Sequence, residues 1–184
     1  MWGDLRERRD NMNTRTIVEG GLCVALTLIL GWITFWKMPQ GGSIHAAHMV
    51  PLLLFALRRG TWAGILAGIA YGALHFLIGA KYSLQPLSIL LDYLLAYGVL
   101  GLAGLAGTYP AKYKGLLVAL GAMLCRMICS ILSGAIVFAA YAPAGMNPWL
   151  YSISYNSSVM LPDIAINLIV LWILYQKVVR LPRT

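Results

Sequence analysis

Apolar residues fill this chain in long runs, broken by short clusters of proline, glycine and charge. Six runs separate at that punctuation, at about residues 16–36, 44–57, 61–80, 86–107, 115–141 and 151–178. Continuous apolar stretches bounded by such breakers read as helices when they are long. A helix needs about 20 apolar residues to cross a hydrocarbon core of roughly 30 Å. The second run, 44–57, falls short of that, so it either kinks at Pro51 or begins below the membrane surface. The pattern predicts an all-α membrane protein with six transmembrane helices. Its membrane domain runs over 16–178, flanked by tails at 1–15 and 179–184.

Composition leads to the same class. Of the residues, 60% are hydrophobic and 11% are charged, against about 25% charged in an average soluble domain. Residues 1–15 are charged and lack the apolar stretch of a signal peptide, which makes them a cytoplasmic lead-in that can rest on anionic headgroups. The three cysteines, Cys23, Cys125 and Cys129, all sit in apolar runs. Their odd number and placement rule out a disulfide framework. Charge then sets orientation. With six spans both termini share one side, which carries Arg6, Arg8, Arg9, Arg15, Arg58, Arg59, Lys112, Lys114, Lys177, Arg180 and Arg183, whereas the other side carries Lys37 and Lys81. Cations accumulate on the cytoplasmic side, so both termini are expected there. The net charge of +8 is thereby explained by the lipid bilayer, with no nucleic acid partner.

Against this background one acid stands out. Asp92 is the sole charge in residues 86–105 (PLSILLDYLLAYGVLGLAGL). An ionisable group inside a membrane helix is costly unless it is paired or faces a polar cavity, which makes it a site candidate; its other reading is a group that glues helices together. A polar face also opens the sixth helix: Tyr151, Tyr155 and Ser158 recur at helical spacing, as do Ser152 and Asn156. Such a face points into the bundle. Arg126 lies inside the fifth helix with no partner placed by the sequence. His45 and His48 are three apart, which hints at metal, but no carboxylate or thiolate is placed beside them, so the set is incomplete and no metal site is assigned.

Several fragments occur in order: MPQGGSI at 38–44, LRRG at 57–60, LLDY at 90–93, GLAGL at 101–105, Ser133-Gly134, YAP at 141–143 and YSISYN at 151–156. Together they resemble the thiamine-specific substrate-binding subunit (S component) of energy-coupling factor (ECF) transporters, over about residues 16–178. The resemblance implies a six-helix bundle in the plasma membrane of a prokaryote. Such a subunit captures a vitamin from the outer side and delivers it through a transmembrane coupling subunit driven by two ATPase subunits. It implies no enzymatic activity and no cofactor. The absence of a G-x-x-x-x-G-K-[ST] loop agrees, since the chain cannot energise transport by itself.

Residue by residue, the resemblance implies a thiamine site. Asp92 matches the family's acidic position, and Tyr93 follows it. Tyr151 and Asn156 match residues that complete hydrogen bonding around the pyrimidine. Tyr71 and Phe138 fall where the family places aromatic residues, which suit a cationic thiazolium. Gly134 lets the ligand lie against the fifth helix. Met38, Pro39, Gln40, Gly41, Gly42 and Ser43 form the lid loop, and Gly21 and Ala25 match the small-residue pattern used for docking on the coupling subunit. Three departures accompany this match. Ser130, four residues after Arg126, stands where the family commonly has histidine; Gly42 stands where some members have tryptophan; and Val159 replaces an expected tyrosine. They keep open a related aminopyrimidine, such as a thiamine precursor, as the ligand. An intramembrane hydrolase built on Ser43, Ser130, His45, His48 and Asp92 is the other class, though no G-x-S-x-G elbow supports it.

Overall fold

The computed structural model describes residues 13–38, 42–79, 83–107 and 111–178. Six helices form one bundle: α1 (Thr14–Trp32), α2 (Val50–Arg59), α3 (Thr61–Ile78), α4 (Pro86–Ala106), α5 (Lys112–Ile136) and α6 (Pro148–Val178). Between α1 and α2 lies a two-stranded antiparallel hairpin, β1 (Thr34–Lys37) and β2 (Ser43–His45). Helix α1 is capped by the Asn13 side chain, which accepts from the Thr16 backbone N–H at 2.9 Å. All helices but α2 are long and apolar enough to cross a membrane. The tails at 1–12 and 179–184 lie outside the described residues.

The hairpin departs from the expected helix–loop–helix. Ile33, Thr34, Phe35 and Trp36 are β-branched or aromatic and favour extended backbone, so α1 stops at Trp32 rather than near Trp36. The strands pair Thr34 with His45, Trp36 with Ile44 and Lys37 with Ser43, with a bulge between Thr34 and Trp36. The Met38 N–H donates to the Gly42 carbonyl at 2.7 Å, closing the ladder.

Helix α2 is shorter than expected and begins later, at Val50 rather than near Ile44. Pro51 does not kink it, because it sits in the first turn, where its missing N–H costs nothing. Leu52, Leu53, Phe55, Ala56 and Leu57 are all buried. A ten-residue helix that is buried on nearly every side is a core element, not a span by itself. Its far end is tied to α1 by a two-pronged ion pair: Arg59 Nε donates to Glu19 Oε2 at 2.7 Å, and a second guanidinium nitrogen donates to Oε1. Part of the cationic cluster noted in the sequence thus also holds the bundle together.

Helices α3 and α4 cross in direct backbone contact. A Cβ on Gly68 or Gly72 would overlap the carbonyl oxygens of Tyr97 and Tyr93, and one on Gly101 or Gly104 would overlap the backbone of Ile65 and Thr61. Only small residues permit this approach. Helix α4 is irregular where α3 grips it. Residues Ile89–Leu95 form a π-helical stretch, and Val99–Ala106 tighten to 3₁₀. Wide turns of the π type recur at functional sites, and this one carries Asp92.

Candidate functional site

A cavity of about 560 Å³ opens within the bundle, walled by α1, the hairpin and α3 to α6. That is within the usual range for a small-molecule site. Asp92 is on its wall and is held by two hydroxyls. Ser88, one helical turn earlier, donates to Oδ2 at 2.9 Å, and Ser133 of α5 donates to the same oxygen. Oδ1 accepts no hydrogen bond among the described residues, so one carboxylate oxygen is anchored and the other faces the cavity.

Helix α6 supplies the facing amide. Asn156 Nδ2 donates to the Ser152 carbonyl at 2.9 Å and to the Ser130 carbonyl at 3.4 Å. Ser152 Oγ donates to the Ile131 carbonyl at 2.7 Å. These bonds fix the amide and leave its oxygen as an acceptor. The close α5–α6 contact that makes them possible needs Gly134, where a Cβ would overlap Ser152 Oγ. Gly134 does line the cavity, but the approach that its missing side chain allows is the one between helices.

Aromatic groups form the rest of the wall. His75, Tyr93 and Tyr97 line one side, with centroid separations of 5.7 Å from His75 to each tyrosine. Tyr151 and Tyr155 stack at 6.0 Å, and Phe138 lies 5.9 Å from Tyr141. Arg126 finds its partner in Tyr97: it donates to the phenol oxygen at 3.2 Å, and its guanidinium lies 4.7 Å from the ring centroid. This pairing was not visible in the sequence, because it joins two helices 29 residues apart.

Of the residues expected at the site, Asp92, Tyr93, Ser130, Gly134, Phe138, Tyr151 and Asn156 line the cavity, together with Gly42 and Ser43 of the loop. Tyr71 does not reach it. Tyr71 is buried behind the wall, stacked on His75 at 5.6 Å and edge-on to Tyr97 at 4.5 Å. Met38 lies outside the wall, and Pro39, Gln40 and Gly41 lie outside the described residues. Gly21 and Ala25 are exposed on the outer face of α1, among exposed Ile17, Leu22 and Ile29. Sequence reasoning missed Trp32, Thr34, Tyr97, Tyr141 and Asp163 as wall residues. For Asp163 the signal was present, since it is one of few acids inside a predicted span.

The hairpin and the turn that follows it are fastened to α6 at three points. The Gly42 N–H donates to the Tyr155 hydroxyl at 3.0 Å, the His45 N–H to Asp163 Oδ1 at 3.0 Å, and the Met49 N–H to Asn167 Oδ1 at 2.9 Å. A Cβ on Gly42 would come within 3.0 Å of both Tyr155 and Val159. Two of the three departures from the family pattern, Gly42 and Val159, are therefore neighbours.

The model of the family described as thiamine transporter protein matches residues 17–182. The chain belongs to the thiamine transporter protein family. The thiamine transporter ThiT of Bacillus subtilis (strain 168) is 32% identical, over 90% of this chain and 92% of that protein. ThiT of Lacticaseibacillus paracasei is 28% identical, over 86% of this chain and 85% of that one. The solved structure of ThiT from Listeria monocytogenes superposes with a TM-score of 0.75 at 28% identity, covering 90% of this chain and 96% of that chain. Membership of this family makes the chain a transport protein rather than an enzyme, which removes the hydrolase reading. With five helices able to span a bilayer, it is a multi-pass protein of a prokaryotic plasma membrane.

Proposed function

We propose that this cavity is where the chain captures thiamine, as the S component of an ECF-type uptake system, and that Asp92 and Asn156 read the aminopyrimidine. The arrangement of Asp92 carries the reading. Its Oδ2 is held by Ser88 and Ser133, so Oδ1 is presented to the ligand at fixed position. A carboxylate oxygen so placed accepts an N–H from the exocyclic amino group of the pyrimidine, and such charge-assisted bonds are the strong ones. The Asn156 oxygen, left over from its contacts with α5 and α6, accepts a further N–H.

Charge and aromaticity support the other half of the ligand. Below the exposed Lys37 at the rim, the described wall carries Asp92 and Asp163 against Arg126 alone. The cationic half of the ligand, the thiazolium, suits an aromatic wall. His75, Tyr93, Tyr97 and Phe138 offer ring faces to it, each worth roughly 0.5–2 kcal/mol depending on desolvation. Ser130 presents a small hydroxyl to the hydroxyethyl end, directly or through water. Tyr71 acts from behind, by fixing the His75 ring.

In this reading the cytoplasm holds both termini, as the cation asymmetry requires. The outer face of α1 around Gly21 and Ala25 meets the coupling subunit, and two ATPase subunits power release. The test is a calorimetric titration of the detergent-purified protein with thiamine, its aminopyrimidine precursor and thiamine diphosphate. Saturable submicromolar binding of thiamine, stronger than that of the other two, is the expected result. A folded protein that prefers the precursor or binds none of them would overturn the assignment.

A further inference from the structure

A second polar cluster lies beside the cavity, built from His45 of β2, His48 of the turn before α2, and Asp163 of α6. His48 is 1% exposed and Asp163 2%. Nδ1 and Nε2 of His48 and Nδ1 of His45 are buried and make no hydrogen bond among the described residues. Buried polar groups are almost always hydrogen-bonded. Three orphaned imidazole nitrogens beside one carboxylate mark a position that something occupies.

The spacing indicates what. One ligand atom from each of the three residues lies within 4.8 Å of the others. The His48 Nδ1 to Asp163 Oδ2 distance is 3.9 Å. That is too long for a hydrogen bond, and it is a few tenths of an ångström wider than the roughly 3.3–3.6 Å between two tetrahedral ligands with bonds of about 2.0–2.2 Å, so the two groups need only close slightly on an ion. The His45 ligand atom completes the set, within 4.8 Å of the other two. Asp163 Oδ1 is already engaged by the His45 N–H at 3.0 Å, which orients the carboxylate and leaves Oδ2 to bind. Such outer contacts are what position ligands at metal centres. Between the two histidines, Ala47 is held at φ 54°, an uncommon conformation for a residue with a side chain, and the turn it makes brings the two rings to 4.5 Å.

We propose that His45, His48 and Asp163 form a binding site for one divalent transition-metal cation of the zinc class. Two imidazoles and a carboxylate suit such ions, whereas calcium and magnesium require oxygen shells that this cluster lacks. His45 and Asp163 line the cavity, so the ion enters from there and its remaining coordination position faces cavity water. The sequence reading set metal aside because no carboxylate was placed beside the two histidines; the fold brings Asp163 there across 118 residues.

The test uses tag-free full-length protein, titrated with Zn²⁺ by calorimetry and with Co²⁺ by visible absorption. The expected result is one equivalent of each ion and Co²⁺ ligand-field bands of a four- or five-coordinate nitrogen–oxygen site. His48→Gln and Asp163→Asn should each weaken Zn²⁺ binding at least about tenfold, since even outer-shell losses at metal sites cost that much. Circular dichroism and the thermal unfolding transition establish that each variant is folded. His48 is outside the cavity wall, so His48→Gln is the variant that isolates the metal site. Absence of saturable Zn²⁺ binding to folded wild-type protein would overturn the proposal, as would binding that survives both substitutions unchanged.

Discussion

The cavity has two acidic poles that are built in different ways. Around Asp92 every group is borne by a helix. Ser88 and Asp92 are one turn apart on α4, Ser152 and Asn156 one turn apart on α6, and Ser133 and Gly134 sit where α5 meets both. Around Asp163 the partners come from irregular backbone: His45 from a bulged hairpin, and His48 from a turn with a left-handed alanine. The first pole is braced by side chains that already lie on rigid elements. The second depends on a loop being laid against α6, and the same hydrogen bonds that build it also fasten the hairpin. One pole is thus built on rigid helices alone, and the other also ties the hairpin to α6.

Substitutions separate the two roles. The largest effect is expected from Gly72→Leu, which drives a side chain into the Tyr93 carbonyl and displaces the π-helical stretch carrying Asp92. Overpacking of this kind costs about 1–3 kcal/mol or more, so a lowered unfolding midpoint and loss of thiamine binding should appear together. If binding survives at full strength, the glycine contact does not position Asp92. A smaller effect follows from Ser133→Ala, which removes one of two hydroxyls from Asp92 Oδ2. Hydrogen bonds to charged groups contribute about 1.5–3 kcal/mol; with Ser88 still in place, affinity should fall roughly tenfold, as read by calorimetry. Smallest of the three is Tyr155→Phe, which deletes the acceptor for the Gly42 N–H. A neutral hydrogen bond contributes about 0.5–1.5 kcal/mol, so stopped-flow fluorescence, with Trp32 on the cavity wall as reporter, should show a few-fold faster dissociation. An unchanged rate would mean that this bond does not hold the mouth closed.

The same contrast explains what the sequence made legible. Asp92 was visible as the sole charge in its run, and Asn156 by its helical spacing from Ser152, because helix periodicity converts directly into shared faces. The hairpin was not visible, since Ile33 to Trp36 continue the apolar run of α1 without a breaker. Tyr71 and Tyr97 are both aromatic and both in spans; which of them reaches the cavity is decided by the rotation that the α3–α4 glycine contact imposes, and no single-helix pattern contains it. Gly42 and Val159 read as separate departures, 117 residues apart, yet they are neighbours in space. Their proximity makes one paired change in cavity shape at the lid end, away from the Asp92 pole.

The most direct test compares wild-type protein with Asp92→Asn in a thiamine titration, each shown to be folded by its thermal unfolding transition. Losing one partner of a buried charged hydrogen-bonded pair costs about 2–5 kcal/mol. The account predicts an affinity at least about 30-fold weaker in the variant, corresponding to the lower end of that range at 1.4 kcal/mol per tenfold. Undiminished affinity in a folded Asp92→Asn protein would contradict it.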